Sequence, residues 1–213
     1  MELKIQNWND ASAFVLPKVT PNNIFGFPSK KFLDVCVEFR VMAGRDEETG
    51  EIAFAVVTEE LMKVWDVDID TLYETALANA ERLEPAKLCP LEEKIFGLLG
   101  GNDVPEFSLT EGQIGVLTNK SGMNGFTTVL YPGLLRRIAE MVGDYFVLPS
   151  SVHEALIVPV ELGLDPNNLK AMVCDINASD VINEDTFLSD NIYYYDKEKQ
   201  SLICSVENVA RNG

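Results

Sequence analysis

Apolar and polar residues alternate along "FLDVCVEFRVMAG", which begins at Phe32, so that Val35, Val37, Phe39 and Val41 fall on one face. A period of two predicts a strand with one buried side. The charged, Gly-containing "RDEETGE" predicts a turn and "IAFAVVT" a returning strand, so the segment reads as a hairpin. The period then changes to 3.6. Thr58 is placed to cap a short helix carrying Leu61, Met62 and Trp65, with Glu59 and Glu60 where acids suit the helix dipole. A second helix is predicted from about Asp70, with Leu72, Tyr73, Ala76, Leu77 and Ala80 in one stripe. A third, "PLEEKIFGLL", opens on Pro90 and stops at Gly100-Gly101.

The stretch "GGNDVPEFSLTEGQ", residues 100–113, is rich in turn-formers and lacks a clean period, which marks it as an internal boundary. Beyond it the opening pattern returns. "IGVLTN" reads as a strand, "KSGMNG" as a turn carrying the hairpin signal Asn124-Gly125, and "FTTVLY" as the return strand. Pro132 then opens a helix with Leu134, Leu135, Ile138, Met141 and Val142 on one side. Asp165-Pro166 begins another, with Leu169, Met172, Val173 and Ile176 in register. "NIYYYD", "KEKQ" and "SLICSV" predict a last hairpin. The expected fold is α+β: a largely antiparallel sheet built from hairpins, helices packed on one face, and two hairpin-then-helix units. The expected division is 1–103 and 104–213, or one continuous domain.

Composition narrows the function classes. The 17 basic and 34 acidic residues leave a net charge of −17. Nucleic acid is excluded as a partner, because affinity for it comes largely from Lys and Arg displacing counterions. Anionic membrane surfaces are disfavoured for the same reason. No apolar run approaches the ~20 residues a membrane helix needs, and the N-terminus lacks a basic region followed by an apolar core. Cys36, Cys89, Cys174 and Cys204 form no CxxC pair, which fits a reduced, cytoplasmic chain without a metal site.

The only histidine, His153, lies in "DYFVLPSSVHEALIVPV". On a continuous strand Ser151 and His153 would share a face, the beginning of a nucleophile, whereas Glu154 would point away. The orienting acid and oxyanion donors that complete such a site are not recognisable, and the chain has no GxSxG elbow. Turn chemistry accounts for the same residue types, with Pro149-Ser150-Ser151 as the turn and His153 and Glu154 at the damp end of a buried strand. "DVDIDTLYE" spaces Asp66, Asp68 and Asp70 like a calcium loop, but Thr71 and Leu77 stand where Gly and Glu are required, so helix capping explains it better. One histidine cannot assemble a zinc set, and "GLLGGND" lacks the Lys-Ser/Thr of a phosphate loop. Tyr193 and Tyr195 share a strand face and read as sheet packing or as an aromatic patch for a small ligand.

Taken together, "FLDVCVEFRV", "VTEELMKVWDVDIDTLYETALANAERL", "VLYPGLLRRIAEMVGDYFVLPSSVHEALIVP" and "VCDINASDVINEDTFLSDNIYYYD" resemble the domain of unknown function 5688, found in gut Firmicutes. The resemblance implies a cytoplasmic bacterial protein with an α+β fold, beginning after a further N-terminal segment that members usually carry. It implies no activity, cofactor or catalytic residue. The expectation is therefore a non-enzymatic binding or interaction module with an acidic surface, needing no cofactor and taking a protein or small ligand. The alternative is a hydrolase-like enzyme using Ser151 and His153. Ser150, Glu154, Tyr193 and Tyr195 are the binding candidates.

Overall fold

Val35, Val37, Phe39 and Val41 are all buried, and around them the first of two sheets is built. The structure is a computed structural model and describes residues 5–45, 52–98, 107–179 and 182–204. Two compact units make up the chain, Met1–Pro85 and Ala86–Gly213. The division therefore falls before 100–113, because Ala86–Pro90 is a strand of the second sheet. Of that stretch, residues 100–106 lie outside the described residues.

In the first unit α1 (Trp8–Ala11) leads to β1 (Val15–Thr20), β2 (Ser29–Phe32), β3 (Val35–Arg45) and β4 (Ile52–Val56). The helices α2 (Glu59–Trp65) and α3 (Ile69–Leu83) follow. β1 pairs antiparallel along one edge of β3. β2 and β4 lie end to end along the other edge, opposite residues 35–38 and 40–45. The β3–β4 hairpin is the predicted one, although residues 46–51 of its turn lie outside the described residues.

Two features of this sheet differ from the sequence expectation. "FLDVCVEFRV" is not one strand: Phe32 ends β2, and Leu33-Asp34 form a two-residue turn into β3. Leu33 takes a left-handed φ of 53° there. β1 gives no clean sequence signal because Pro17 interrupts "VLPKVT"; a proline is tolerated because β1 is an edge strand. Thr58 caps α2 and Asp68 caps α3, their side chains accepting from the N–H of Leu61 and Thr71. Asp70 pairs with Lys30 at 2.6 Å, so the closely spaced aspartates serve separate ends. Leu72, Ala76 and Ala80 of α3 are buried, and Asn79 Nδ2 donates to the carbonyls of Ser12 and Val15.

The second unit runs β5 (Ala86–Pro90), α4 (Leu91–Leu98), β6 (Gly115–Asn119), a 3-10 turn (Gly125–Leu130) and α5 (Leu134–Val142). It continues through β7 (Tyr145–Ser151), β8 (Glu154–Pro159), α6 (Pro166–Asn177), β9 (Tyr193–Asp196) and β10 (Ser201–Ile203). The strands form one sheet in the order β10-β9-β7-β8-β6-β5. Every neighbouring pair is antiparallel. Pro90 closes β5 and does not open the helix, which begins at Leu91.

Successive residues of β7 point to opposite faces, and each face is covered. Phe146 and Leu148 pack with Leu169 and Val173 of α6. On the other side Tyr145 donates from its hydroxyl to the carbonyl of Leu135 in α5, and Tyr193 lies against Phe126 of the 3-10 turn. Helices thus lie on both faces of this sheet, beyond the one-faced arrangement read from the sequence. The α+β class and antiparallel pairing are as expected, but the second hairpin-then-helix unit is not. "FTTVLY" is a buried 3-10 turn, not a strand. A two-residue type I′ hairpin needs positive φ at both central residues, and at Asn124-Gly125 only Asn124 has it. The hydroxyls of Thr127 and Thr128 then donate to the carbonyls of Asn124 and Gly125, three residues back, and hold the 3-10 winding. No helix among the described residues is long and apolar enough to cross a membrane.

Candidate functional site

The strand-run-strand pattern around His153 folds as the β7–β8 hairpin, with Ser151 paired to Glu154 and Val152-His153 as its two-residue turn. The turn thus falls two residues later than Pro149-Ser150-Ser151. The register slips between Pro149 and Ser151, so Ser150 sits half-buried at an irregularity near the end of β7. This chain reversal brings Ser151 and His153 together by a route other than a shared strand face. The N–H of His153 donates to Ser151 Oγ at 3.0 Å.

Four hydrogen bonds tie the turn to neighbouring elements. The imidazole Nδ1 of His153 accepts from the backbone N–H of Asn124 at 3.1 Å. Its carbonyl accepts from Thr118 Oγ1 of β6 at 2.8 Å. The carbonyl of Val152 accepts from the N–H of Phe126, and its N–H donates to the carbonyl of Thr186. Gly125 lies directly against this junction, where an added methyl would overlap Thr118 Oγ1 and the His153 carbonyl oxygen. Glycine is required there for close approach, not for a positive φ. An Nδ1 that accepts leaves the neutral ring's proton on Nε2.

The other named residues are dispersed. Glu154 is half-buried, with one carboxylate oxygen 3.8 Å from Lys94 Nζ of α4. Burial pushes the thiol of nearby Cys89 up from its ordinary value, which disfavours a reactive thiolate. Tyr193 and Tyr195 are core residues; Tyr195 stacks on Tyr145 with centroids 5.2 Å apart. Their rings contribute packing and are not presented to solvent. Tyr194, on the opposite face, donates to Asp144 Oδ2 at 2.6 Å, and burial followed by that carboxylate pushes its hydroxyl well up. Among the described residues no group of three His, Cys, Asp or Glu side chains is arranged to hold a metal ion.

Sequence reasoning missed Thr118, Asn124 and Gly125, the residues that grip the turn. Asn124-Gly125 carried a turn signal, but nothing in its spacing tied it to a histidine in another hairpin.

Fold and site together define an α+β protein whose only histidine is built into a cross-braced turn of a six-stranded antiparallel sheet. The chain belongs to the family of unknown function DUF5688, whose model matches residues 23–197. That span includes both sheets except β1 and the last strand. No curated protein and no solved structure matches the chain.

Proposed function

We propose that this protein is a non-enzymatic binding module with an acidic surface, in which Ser151 and His153 serve architecture. One observation carries the reading: the two acceptor atoms nearest a nucleophile–base arrangement both receive backbone N–H groups. Nδ1 of His153 is engaged by Asn124 and Ser151 Oγ by His153's own amide. A general base needs a lone pair directed at the nucleophile's proton, and the Nδ1 lone pair is directed elsewhere. The net charge of −17 favours a partner with basic groups, a protein or a small ligand, whose binding weakens as salt rises. None of the four cysteines is in a disulfide, which supports a reducing bacterial cytoplasm.

The competing reading, a hydrolase-like enzyme using Ser151 and His153, draws on their closeness in the turn. A serine-reactive fluorophosphonate separates the two. The binding-module reading predicts that native protein labels at Ser151 no faster than unfolded protein. Native labelling far above the unfolded rate, abolished in Ser151→Ala, would overturn it.

A further inference from the structure

Residues 120–124 link β6 to the 3-10 turn and are held partly by bonds to Asn119, the last residue of β6. Asn119 Nδ2 donates to the carbonyl of Met123, Ser121 Oγ to Asn119 Oδ1, and the N–H of Gly122 to the carbonyl of Asn119. The bond from the N–H of Asn124 to His153 Nδ1 ties the segment across to the β7–β8 turn. Asn124 is held at a left-handed φ of 51°, a conformation that costs any residue with a Cβ some energy.

We propose that His153 is an acid-released latch, whose neutral ring fastens residues 120–124 to the β7–β8 turn and whose protonated ring lets them go. The chemistry is a donor meeting a donor. Protonation places an N–H on Nδ1, facing the N–H of Asn124, and the bond becomes a repulsion. Imidazole is the side chain that changes charge in the neutral to mildly acidic range. Asn124 then gains by leaving its left-handed conformation, and the segment carrying the exposed Met123 moves with it. The other ties of the turn to its neighbours, from Thr118 Oγ1 to the His153 carbonyl, from Phe126 N–H to the Val152 carbonyl and from Val152 N–H to the Thr186 carbonyl, do not titrate. Release is therefore local, and the sheet stays folded.

The charged side chains on the surrounding elements are few. Glu154 begins β8, with Lys94 of α4 beside it. Lys120 is on the segment itself, and Glu184 and Asp185 immediately precede Thr186, whose carbonyl receives the Val152 N–H. β6 and the 3-10 turn carry none.

Amide hydrogen exchange of the full chain, measured from pH 8 down to 5 and corrected for intrinsic exchange, tests the latch. Loss of one hydrogen bond predicts that protection at Asn124 falls about tenfold as the imidazole charges. In His153→Gln, whose side-chain oxygen accepts at any pH, the profile should be flat. A flat profile in the native protein, or the same fall in His153→Gln, would overturn the proposal. If that variant fails to fold, the native protein decides alone. The Asn124 amide resonance must move with the imidazole C–H resonances at one midpoint, and an Asn124 signal indifferent to them contradicts the latch.

Discussion

Among the described residues two two-residue turns close hairpins, and they are made in opposite ways. Leu33-Asp34, between β2 and β3, is shaped by its own backbone: Leu33 goes left-handed, and Asp34 is exposed. Val152-His153, between β7 and β8, has no positive φ, and its shape is enforced from outside by β6, Asn124, Phe126 and Thr186. The first turn is a local solution with tolerable strain. The second depends on tertiary contacts, so its residue types answer to neighbours distant in sequence. A serine and a histidine that suggest chemistry on paper are there held in place by backbone hydrogen bonds.

The largest expected effect breaks the second turn from outside. Gly125→Ala drives a methyl into Thr118 and the His153 carbonyl oxygen, and should cost about 3 kcal/mol or more in chemical denaturation, because these buried groups cannot move aside. Thr118→Val keeps the shape but removes the hydroxyl from the His153 carbonyl, for an expected loss of about 1–2 kcal/mol by the same measurement. The first turn should respond with the opposite sign. Leu33→Gly relieves the left-handed strain, offset by glycine's larger unfolded entropy, for a net gain of about 0.5 kcal/mol.

The smallest effect is read in pH dependence. Glu38 in β3 is buried, and burial raises its carboxyl above the ordinary value against the pull of Lys18 and Thr20. A raised folded value means the folded state holds its proton longer than the unfolded state. Stability from this group is therefore greatest below the ordinary carboxyl value and declines as pH rises through the folded one. Glu38→Gln should raise the thermal midpoint at pH 7 and leave it unchanged near pH 4; a gain at both pH values would contradict the assignment.

Where periodicity and capping act over neighbouring residues, the sequence was readable. Val35 to Val41, the caps at Thr58, Asp68 or Asp70, and Asp165-Pro166, and the stripes of α3 and α5 all depend on residues within a few positions. The misreadings have physical reasons. Pro17 hid an edge strand, and the two-residue turn at Leu33 was concealed inside an alternating run. Asn124-Gly125 carries a hairpin signal, yet Gly125 is pressed against the His153 carbonyl, and the threonine hydroxyls wind the chain into a 3-10 turn. At the site, Ser151 and His153 could be singled out by residue type. Their partners could not, because Asn124 lies 29 positions from His153 and Thr118 lies 35.

The central claim, that His153 is a structural acceptor and not a base for Ser151, can be tested on the native protein through its single imidazole. Nitrogen-15 NMR at pH 8 distinguishes the two neutral tautomers without an assignment problem. The account predicts a bare, accepting Nδ1 and a protonated Nε2, with the Nδ1 signal coupled to the Asn124 amide. A ring protonated on Nδ1, or one exchanging freely between tautomers, would contradict it and return Ser151 and His153 to consideration as a catalytic pair.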